Sequence, residues 1–435
     1  MQTVCIVGLG YVGLPTACVF AQSGVTTIGV DTRSERVASV NKGLSYIVER
    51  GISKAVQEEV ESGRLRATTD LKAAVSGSEA VIIAVQTPFE GGKAVLDHLV
   101  SACEKVAESI KSGTVVIVES TVPPGTCERL VLPLFDRRGM NDGFEYYFAY
   151  CPERISPSNS LDEFRMNDRI IGANNQASLE RGGSLMRTVV KGKLFATDLL
   201  TAETTKLVEN ASRDVYIAFA NDLARICYHL GVDVHEVISL ANTHPRVKIL
   251  KPGPGVGGPC LTKDPYLLLE GLGERRGEEG LMIVTARSVN SGMTNAVLEL
   301  AKADGGLRPG SKVVVLGTSY KPEVADPRSS PSEQVIKSLL QMGCKVSAYD
   351  PYCKEGFGAE IAENLAAATL NASCAIILVA HHSFQDLKLD ELVSNMAPDP
   401  LIVDAAGTSR PRDAKSGKYR LRRLGDGKNS RMGTS

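Results

Sequence analysis

The chain has 435 residues, with 49 basic side chains against 50 acidic ones and a formal net charge of −1, so it carries no field that would hold nucleic acid or an anionic membrane surface. Its length exceeds what one hydrophobic core normally supports and predicts two or three domains. No stretch approaches the ~20 uninterrupted apolar residues that span a bilayer, and the chain enters an apolar run at Val4 without a basic leader; a cytoplasmic protein with a small metabolite as partner is expected.

The first 200 residues alternate short apolar runs with amphipathic stretches. Val4–Val7, Thr27–Val30, Ala80–Val85, Val115–Val118 and Phe148–Tyr150 are the predicted strands, and this alternation predicts a parallel, doubly wound sheet. The first strand runs into Gly8-Leu9-Gly10-Tyr11-Val12-Gly13, and the second is followed by Asp31. Glycines at this spacing permit a tight turn and close backbone approach, and the helix start offers unpaired N–H groups to a pyrophosphate. Asp31 suits the ribose diol of NAD, because its charge repels the extra phosphate of NADP; Arg33 nearby reads as a solvated surface charge. Thr121, in Glu119-Ser-Thr121, and Glu153, in Cys151-Pro-Glu153-Arg154, follow apolar runs and precede turns. An α/β sheet places functional groups at such strand ends.

Helical periodicity runs from Thr201 to Leu230, and shorter helices follow up to Met293, which predicts an all-helical centre. Lys206, Asn210 and Arg213 fall at i, i+4 and i+7 and share one helical face. Lysine there either steadies an oxyanion or, with a lowered pKa, accepts a proton, and Asn210 can hold a water or an oxyanion without changing charge. In Gly253-Pro-Gly-Pro-Gly-Val-Gly-Gly-Pro-Cys260-Leu-Thr-Lys263-Asp264 a cysteine lies in a glycine-rich loop beside charges, the setting in which a thiol is tuned rather than merely buried. The other cysteines form no C-x-x-C pair and no tight Cys/His cluster; they read as small core residues, and no metal site is expected.

After the turn cluster Leu307-Arg-Pro-Gly-Ser311, strands predicted at Lys312–Gly317, Val346–Asp350, Ala375–Ala380 and Leu401–Asp404 give a second, smaller α/β domain, closed by a short strand at Tyr419–Leu424. Its first turn, Gly317-Thr-Ser-Tyr320-Lys321-Pro322, lacks the later glycines. Two readings stand for Lys321 and Arg328: a site for an anionic ligand other than a second dinucleotide, or ordinary surface charges on a structural loop.

As a set, Val7–Gly13, Glu119-Ser-Thr121, Cys151-Pro-Glu-Arg154, Lys206 with Asn210, the Cys260 loop and Tyr320-Lys321-Pro322 resemble the nucleotide-sugar 6-dehydrogenases, which turn a UDP-hexose into a UDP-uronic acid with two NAD. The resemblance covers residues 2 to about 410. Gln86-Thr87-Pro88-Phe89, Ala149–Arg154, Arg213–Asn221 and Ala241-Asn-Thr-His244-Pro-Arg246-Val look most like the UDP-N-acetylmannosamine dehydrogenase branch. Pro259 and Lys263 stand where that branch usually has histidine and valine, Lys263-Asp264 looks more like the UDP-glucose branch, and Ser158 replaces an expected glycine.

The resemblance implies two Rossmann-like doubly wound domains joined by a central helical domain: NAD binding over 1–200, dimerisation over 201–300, UDP-sugar binding over 301–425, and a flexible tail over 426–435. It implies cofactor contacts from Gly8, Gly10, Tyr11, Val12, Gly13, Asp31, Thr87, Thr121 and Arg328. Substrate contacts are implied for Arg154, Ile155, Lys206, Asn210, Arg213, His244, Arg246, Gly257, Tyr320 and Lys321, and a guanidinium such as Arg246 suits diphosphate as a fork. Catalysis falls to Cys260, Lys206, Asn210, Asp264, Glu153 and Thr121. The expected reaction is NAD-dependent four-electron oxidation of the C6 hydroxyl through a Cys260 thiohemiacetal and thioester, with UDP-N-acetyl-D-mannosamine as substrate. UDP-N-acetylglucosamine, UDP-glucose and a non-catalytic NAD-binding scaffold are the alternatives. A homodimer through the helical centre is implied, with no nucleic-acid or membrane partner, and surface polysaccharide assembly is the family's usual destination.

Overall fold

The computed structural model describes residues 3–155, 159–303, 307–409 and 417–428. The chain forms two compact units, Met1–Glu209 with Tyr266–Arg276 and Asn210–Pro265 with Gly277–Ser435.

The first unit is built on an eight-stranded sheet. From edge to edge it runs Leu194–Thr197, Arg169–Gly172, Tyr146–Tyr150, Thr114–Val118, Ala80–Ile83, Thr3–Val7, Thr26–Val30 and Leu65–Thr68. Val4 and Ile6 enter one core, Cys5 and Val7 the other, which is why these strands read as unbroken apolar runs. Each fully buried aliphatic side chain contributes about 1.5–3 kcal/mol. Three strands lie beyond those expected. Leu65–Thr68, Arg169–Gly172 and Leu194–Thr197 have four residues each; Arg66 and Arg169 interrupt the apolar signal of the first two, and the third is too short to stand out and leaves Phe195 and Ala196 exposed. The sheet is also not wholly parallel, because Arg169–Gly172 meets Tyr150 in antiparallel register. Strand order reverses at Thr3–Val7, which lies between Ala80–Ile83 and Thr26–Val30, so a crevice opens at Gly8 and Ala84, beyond the carboxyl ends of the strands.

Every described element between residues 200 and 300 is helical. The central helix Leu199–Leu230 has 32 residues, about 48 Å at 1.5 Å per residue. Its first turns belong to the first unit and the rest to the second.

The second unit carries a parallel six-stranded sheet in the order Glu360–Ile361, Lys345–Tyr349, Lys312–Leu316, Cys374–Ile377, Leu401–Asp404, Arg420–Arg423. Val313 and Val315 face one core, Val314 and Leu316 the other. The closing strand expected at Tyr419–Leu424 is Arg420–Arg423. In the segment expected as a tail, the Gly427 N–H donates to the Val232 carbonyl and Lys428 pairs with Glu236. Residues 429–435 and Ser158 lie outside the described residues. The architecture is the expected one, two Rossmann-like α/β domains with a helical centre. No helix among the described residues is long and apolar enough to cross a membrane.

Candidate active site

In the first unit the turn after Thr3–Val7 shows three different uses of glycine. Gly8 has φ +96, and a Cβ there would meet the Ala84 carbonyl oxygen at 2.7 Å. At Gly13 a Cβ would stand 1.8 Å from the Gly8 carbonyl oxygen, so the helix Gly13–Gln22 could not seat against the turn. Gly10 meets nothing within 4 Å; that position is open to an incoming ligand. Asp31 closes the turn from beside it: its Oδ2 accepts the Leu9 N–H at 3.0 Å and the Arg36 guanidinium at 3.2 Å, and its Oδ1 accepts the Arg33 N–H. The Arg36 guanidinium also lies over the Tyr46 ring, whose hydroxyl donates to the Leu9 carbonyl. An open Gly10 at a helix start with a carboxylate beside it fits a dinucleotide.

The neighbouring strand ends are tied together. The Thr87 hydroxyl donates to the Thr121 carbonyl at 2.6 Å, and the Ser120 hydroxyl donates to the Val85 carbonyl at 2.8 Å. Glu119 receives the Thr16 hydroxyl at 2.9 Å and the fully buried Arg169 at 2.7 Å. Three residues beyond Tyr146–Tyr150, Glu153 Oε1 accepts Lys206 Nζ at 2.9 Å and Oε2 accepts the Ile155 N–H. Both side chains are buried. Burial pushes the Glu153 carboxyl up, yet Lys206 and the Ile155 N–H outweigh it and hold it below the usual glutamate range. Arg154 pairs with Glu209 at 2.6 Å and donates to the Asp168 carbonyl.

In the second unit Cys260 is half-buried, whereas the other nine cysteines are buried. Desolvation pushes the thiols of Cys5, Cys18, Cys103 and Cys374 up to about 12. The Cys260 carbonyl accepts the N–H groups of Lys263 and Asp264 at 3.1 and 2.9 Å, and the helix Asp264–Glu270 starts from this turn. Asp264, 1% exposed, accepts Asn210 Nδ2 at 2.6 Å and lies 3.3 Å from Lys263 Nζ. A carboxylate and an ammonium group thus lie within four residues of the thiol, and the Asn210 amide, fifty residues earlier, reaches the carboxylate.

The second sheet repeats the first turn's geometry with different chemistry. Gly317 has φ +95 and lies against Val379, and the Thr318 and Ser319 N–H groups donate to Asp350 as Leu9 does to Asp31. Asp350 also takes the Tyr352 and Cys353 N–H groups and the buried His381 imidazole at 3.1 Å. These partners hold its carboxyl well below the usual range despite burial. A cleft of about 190 Å³ at the carboxyl end of this sheet is lined by Tyr320, Lys321, Val379 and the start of the glycine-rich loop. A Cβ at Gly257, farther along the loop, would be 2.6 Å from the Ser329 carbonyl oxygen, and Arg328 is paired with Asp326.

The expected residues thus divide between the units. The dinucleotide turn, Thr87, Thr121, Glu153, Arg154, Ile155 and Lys206 belong to the first; Asn210, Arg213, His244, Arg246, Gly257, Cys260, Asp264, Tyr320, Lys321 and Arg328 belong to the second. Arg213, His244 and Arg246 are exposed, and His244 Nδ1 accepts the Arg246 N–H as a loop cap. Sequence reasoning gave no part to Arg36, Tyr46, Arg169, Asp214, Arg287 or Asn290. Only Arg36, five residues after Asp31, had a local signal.

Three consecutive domain models of the UDP-glucose/GDP-mannose dehydrogenase family match the chain: the NAD binding domain over residues 2–190, the central domain over 200–292 and the UDP binding domain over 314–411. A Pyrococcus horikoshii protein named UDP-N-acetyl-D-mannosamine dehydrogenase is 38% identical over 405 residues, 92% of this chain and 94% of that one. A Ralstonia nicotianae protein named NDP-N-acetyl-D-galactosaminuronic acid dehydrogenase is 38% identical over 411 residues, 92% of this chain and 95% of that one. The solved structure of a UDP-N-acetylmannosamine dehydrogenase from Pyrococcus horikoshii superposes with a TM-score of 0.90 at 36% identity, covering 98% of this chain and all of that one. The chain belongs to the UDP-glucose/GDP-mannose dehydrogenase family and is an NAD-dependent oxidoreductase.

Proposed function

We propose that the chain oxidises the C6 hydroxyl of UDP-N-acetyl-D-mannosamine to a carboxylate, in two NAD-dependent steps joined by a thioester on Cys260. The observation that carries the reaction class is the half-buried Cys260 thiol beside Asp264, Asn210 and Lys263, in a chain whose dinucleotide turn is open at Gly10. The choice of sugar is supported by relatives named UDP-N-acetyl-D-mannosamine dehydrogenase over nearly the whole chain.

NAD, when bound, supplies the hydride acceptor for each oxidation. Gly8, Gly10, Tyr11, Val12, Gly13, Asp31, Thr87, Thr121 and Arg328 are assigned to hold it. Lys206, held in place by Glu153, donates to the oxygen that gains charge as the alcohol becomes an aldehyde. Cys260 thiolate then forms a C–S bond to that aldehyde carbon, and Lys206 and Asn210 donate to the thiohemiacetal oxyanion. Loss of the second hydride leaves a thioester. Asp264, with Glu153 assigned as the second carboxylate, accepts a proton from the attacking water; the C–S bond breaks and the thiolate returns. In balance, one alcohol, one water and two NAD+ give one carboxylate, two NADH and three protons. The uridine diphosphate is assigned to Arg154, Ile155, Arg213, Gly257, Tyr320 and Lys321, with His244 and Arg246 supplied across a dimer.

The dimer is itself a proposal. Tyr216, Phe219, Ile226 and Leu230 on the central helix are 61, 54, 45 and 60% exposed, and with Leu223 they recur at alternating three- and four-residue steps, the seam of a helix that packs on another helix. We assign the reaction to the cytoplasm and keep the division at 1–200, 201–300 and 301–425. The relative named for N-acetyl-D-galactosaminuronic acid favours a second acetamido sugar as competitor. The test compares kcat/KM on UDP-N-acetylmannosamine, UDP-N-acetylglucosamine, UDP-N-acetylgalactosamine and UDP-glucose. The highest value on UDP-N-acetylmannosamine is expected; a higher value on any other reassigns the substrate.

A further inference from the structure

The loop that delivers Cys260 has glycine at 253, 255, 257 and 258 and therefore little stiffness of its own. A nucleophile must nevertheless be held within ~3–3.5 Å of the carbon it attacks. The loop's order comes from a buried polar chain. The Gly253 N–H donates to Asn221 Oδ1 at 2.9 Å, and Asn221 Nδ2 donates to Asn290 Oδ1 at 2.9 Å. Asn290 Nδ2 donates to Asp214 Oδ1 at 2.8 Å, and Arg287 Nη1 donates to the same oxygen at 2.6 Å and to the Leu261 carbonyl at 3.4 Å. The connection thus runs unbroken from the loop's first residue to the residue after Cys260. Asp214, Asn221 and Asn290 are 0% exposed and Arg287 is 6% exposed.

We infer that the Asp214–Arg287 pair is a positioning group for Cys260, acting through the Leu261 carbonyl; the inference rests on the thioester chemistry proposed above. Apolar replacement of a buried ion pair is often neutral or stabilising, so stability alone gives such a pair little reason to be there, whereas a fixed loop does. The helix Leu281–Lys302 supplies Arg287 and Asn290. It also presses its Asn290 carbonyl against Gly255, where φ is +129 and a Cβ would stand 3.0 Å away. The central helix supplies Asp214 and Asn221, and through Asn210 it holds Asp264 as well. Two helices therefore grip the loop at its start, at Leu261 and at Asp264.

The test uses the full chain with Asp214→Leu/Arg287→Met, which removes both charges at similar volume, and Arg287→Lys, which keeps the charge and a multiple donor. Alkylation of Cys260 by iodoacetamide is followed by peptide mass spectrometry, and steady-state kinetics are run alongside. In the double variant the alkylation rate is expected to change by about fivefold or more, and kcat to fall by about tenfold or more with both KM values within about twofold. Arg287→Lys should lie between the double variant and the parent in both readouts, and as the smaller change it decides the matter if the double variant does not fold. Parent-like alkylation and kcat in the folded variants, or a KM that rises as kcat falls, overturns the inference. Alkylation needs no turnover, so a parent enzyme that makes no NADH from any nucleotide sugar would sink the proposed function while the thiol still reports on the positioning.

Discussion

Lys206→Met isolates what the cation does for Glu153. The two groups stand 2.9 Å apart with 6 and 10% of their side chains exposed. At an effective dielectric near 20 their gross attraction is about 6 kcal/mol, and removing one partner of such a buried pair costs roughly 3–5 kcal/mol because the other is left buried and charged. For a unit of about 200 residues that is a loss of ~6–20 °C in melting temperature. The pH dependence has a definite sign. In the parent the Glu153 carboxyl is depressed, so the pair's contribution is complete above the unfolded value of about 4.3 and is lost as pH falls through the folded one. In Lys206→Met burial, the largest influence, is opposed only by the Ile155 N–H and the Arg169 charge, and the carboxyl rises; the penalty is then full above that raised value and disappears as Glu153 takes up a proton. Calorimetry at pH 8, 6.5 and 5 should show a deficit against the parent that shrinks on acidification. Glu153→Gln/Lys206→Met should recover most of it at pH 8. A variant that melts with the parent at pH 8, or a deficit that grows on acidification, would refute the reasoning.

Gly10→Ala should leave the melting temperature near the parent's, since its Cβ meets nothing within 4 Å, and should weaken NAD binding in calorimetric titration by about tenfold. Gly13→Ala, with a Cβ 1.8 Å from the Gly8 carbonyl oxygen, should lose both NAD binding and thermal stability. Asp31→Ser removes the acceptor shared by the Leu9 N–H and Arg36; the NAD to NADP preference in kcat/KM should fall by about tenfold or more. Phe219→Asp, on the exposed stripe of the central helix, should convert a dimer into a monomer by light scattering; unchanged mass would move the interface elsewhere.

The fold was legible where physics is local. Strands buried on both faces announce themselves as apolar runs, as at Val313–Leu316, and the Gly8, Gly10 and Gly13 spacing follows from two steric limits and one open approach. The Arg169–Gly172 strand was not, because its arginine is made tolerable by partners outside the strand: Glu119, fifty residues away, the Cys151 carbonyl, and the Phe164 ring beneath its guanidinium. At the site, Cys260 and Asp264 stood out because their neighbours in sequence are their neighbours in space. Lys206 and Asn210 were picked by helical phase, but their partners Glu153 and Asp264 lie 53 and 54 residues away. Arg287 shows no pattern of its own. It becomes informative only when the fold brings it to Asp214 and Leu261, 73 and 26 residues distant.

The central claim is that one chain carries out two oxidations through sulfur. NADH formed per UDP-N-acetylmannosamine consumed, measured for the parent and for Cys260→Ser, tests it most directly. Two NADH from the parent, and a loss of the second NADH in Cys260→Ser with aldehyde-level product held on the enzyme, is the predicted result. One NADH from the parent, or two from Cys260→Ser at the parent's rate, would contradict it.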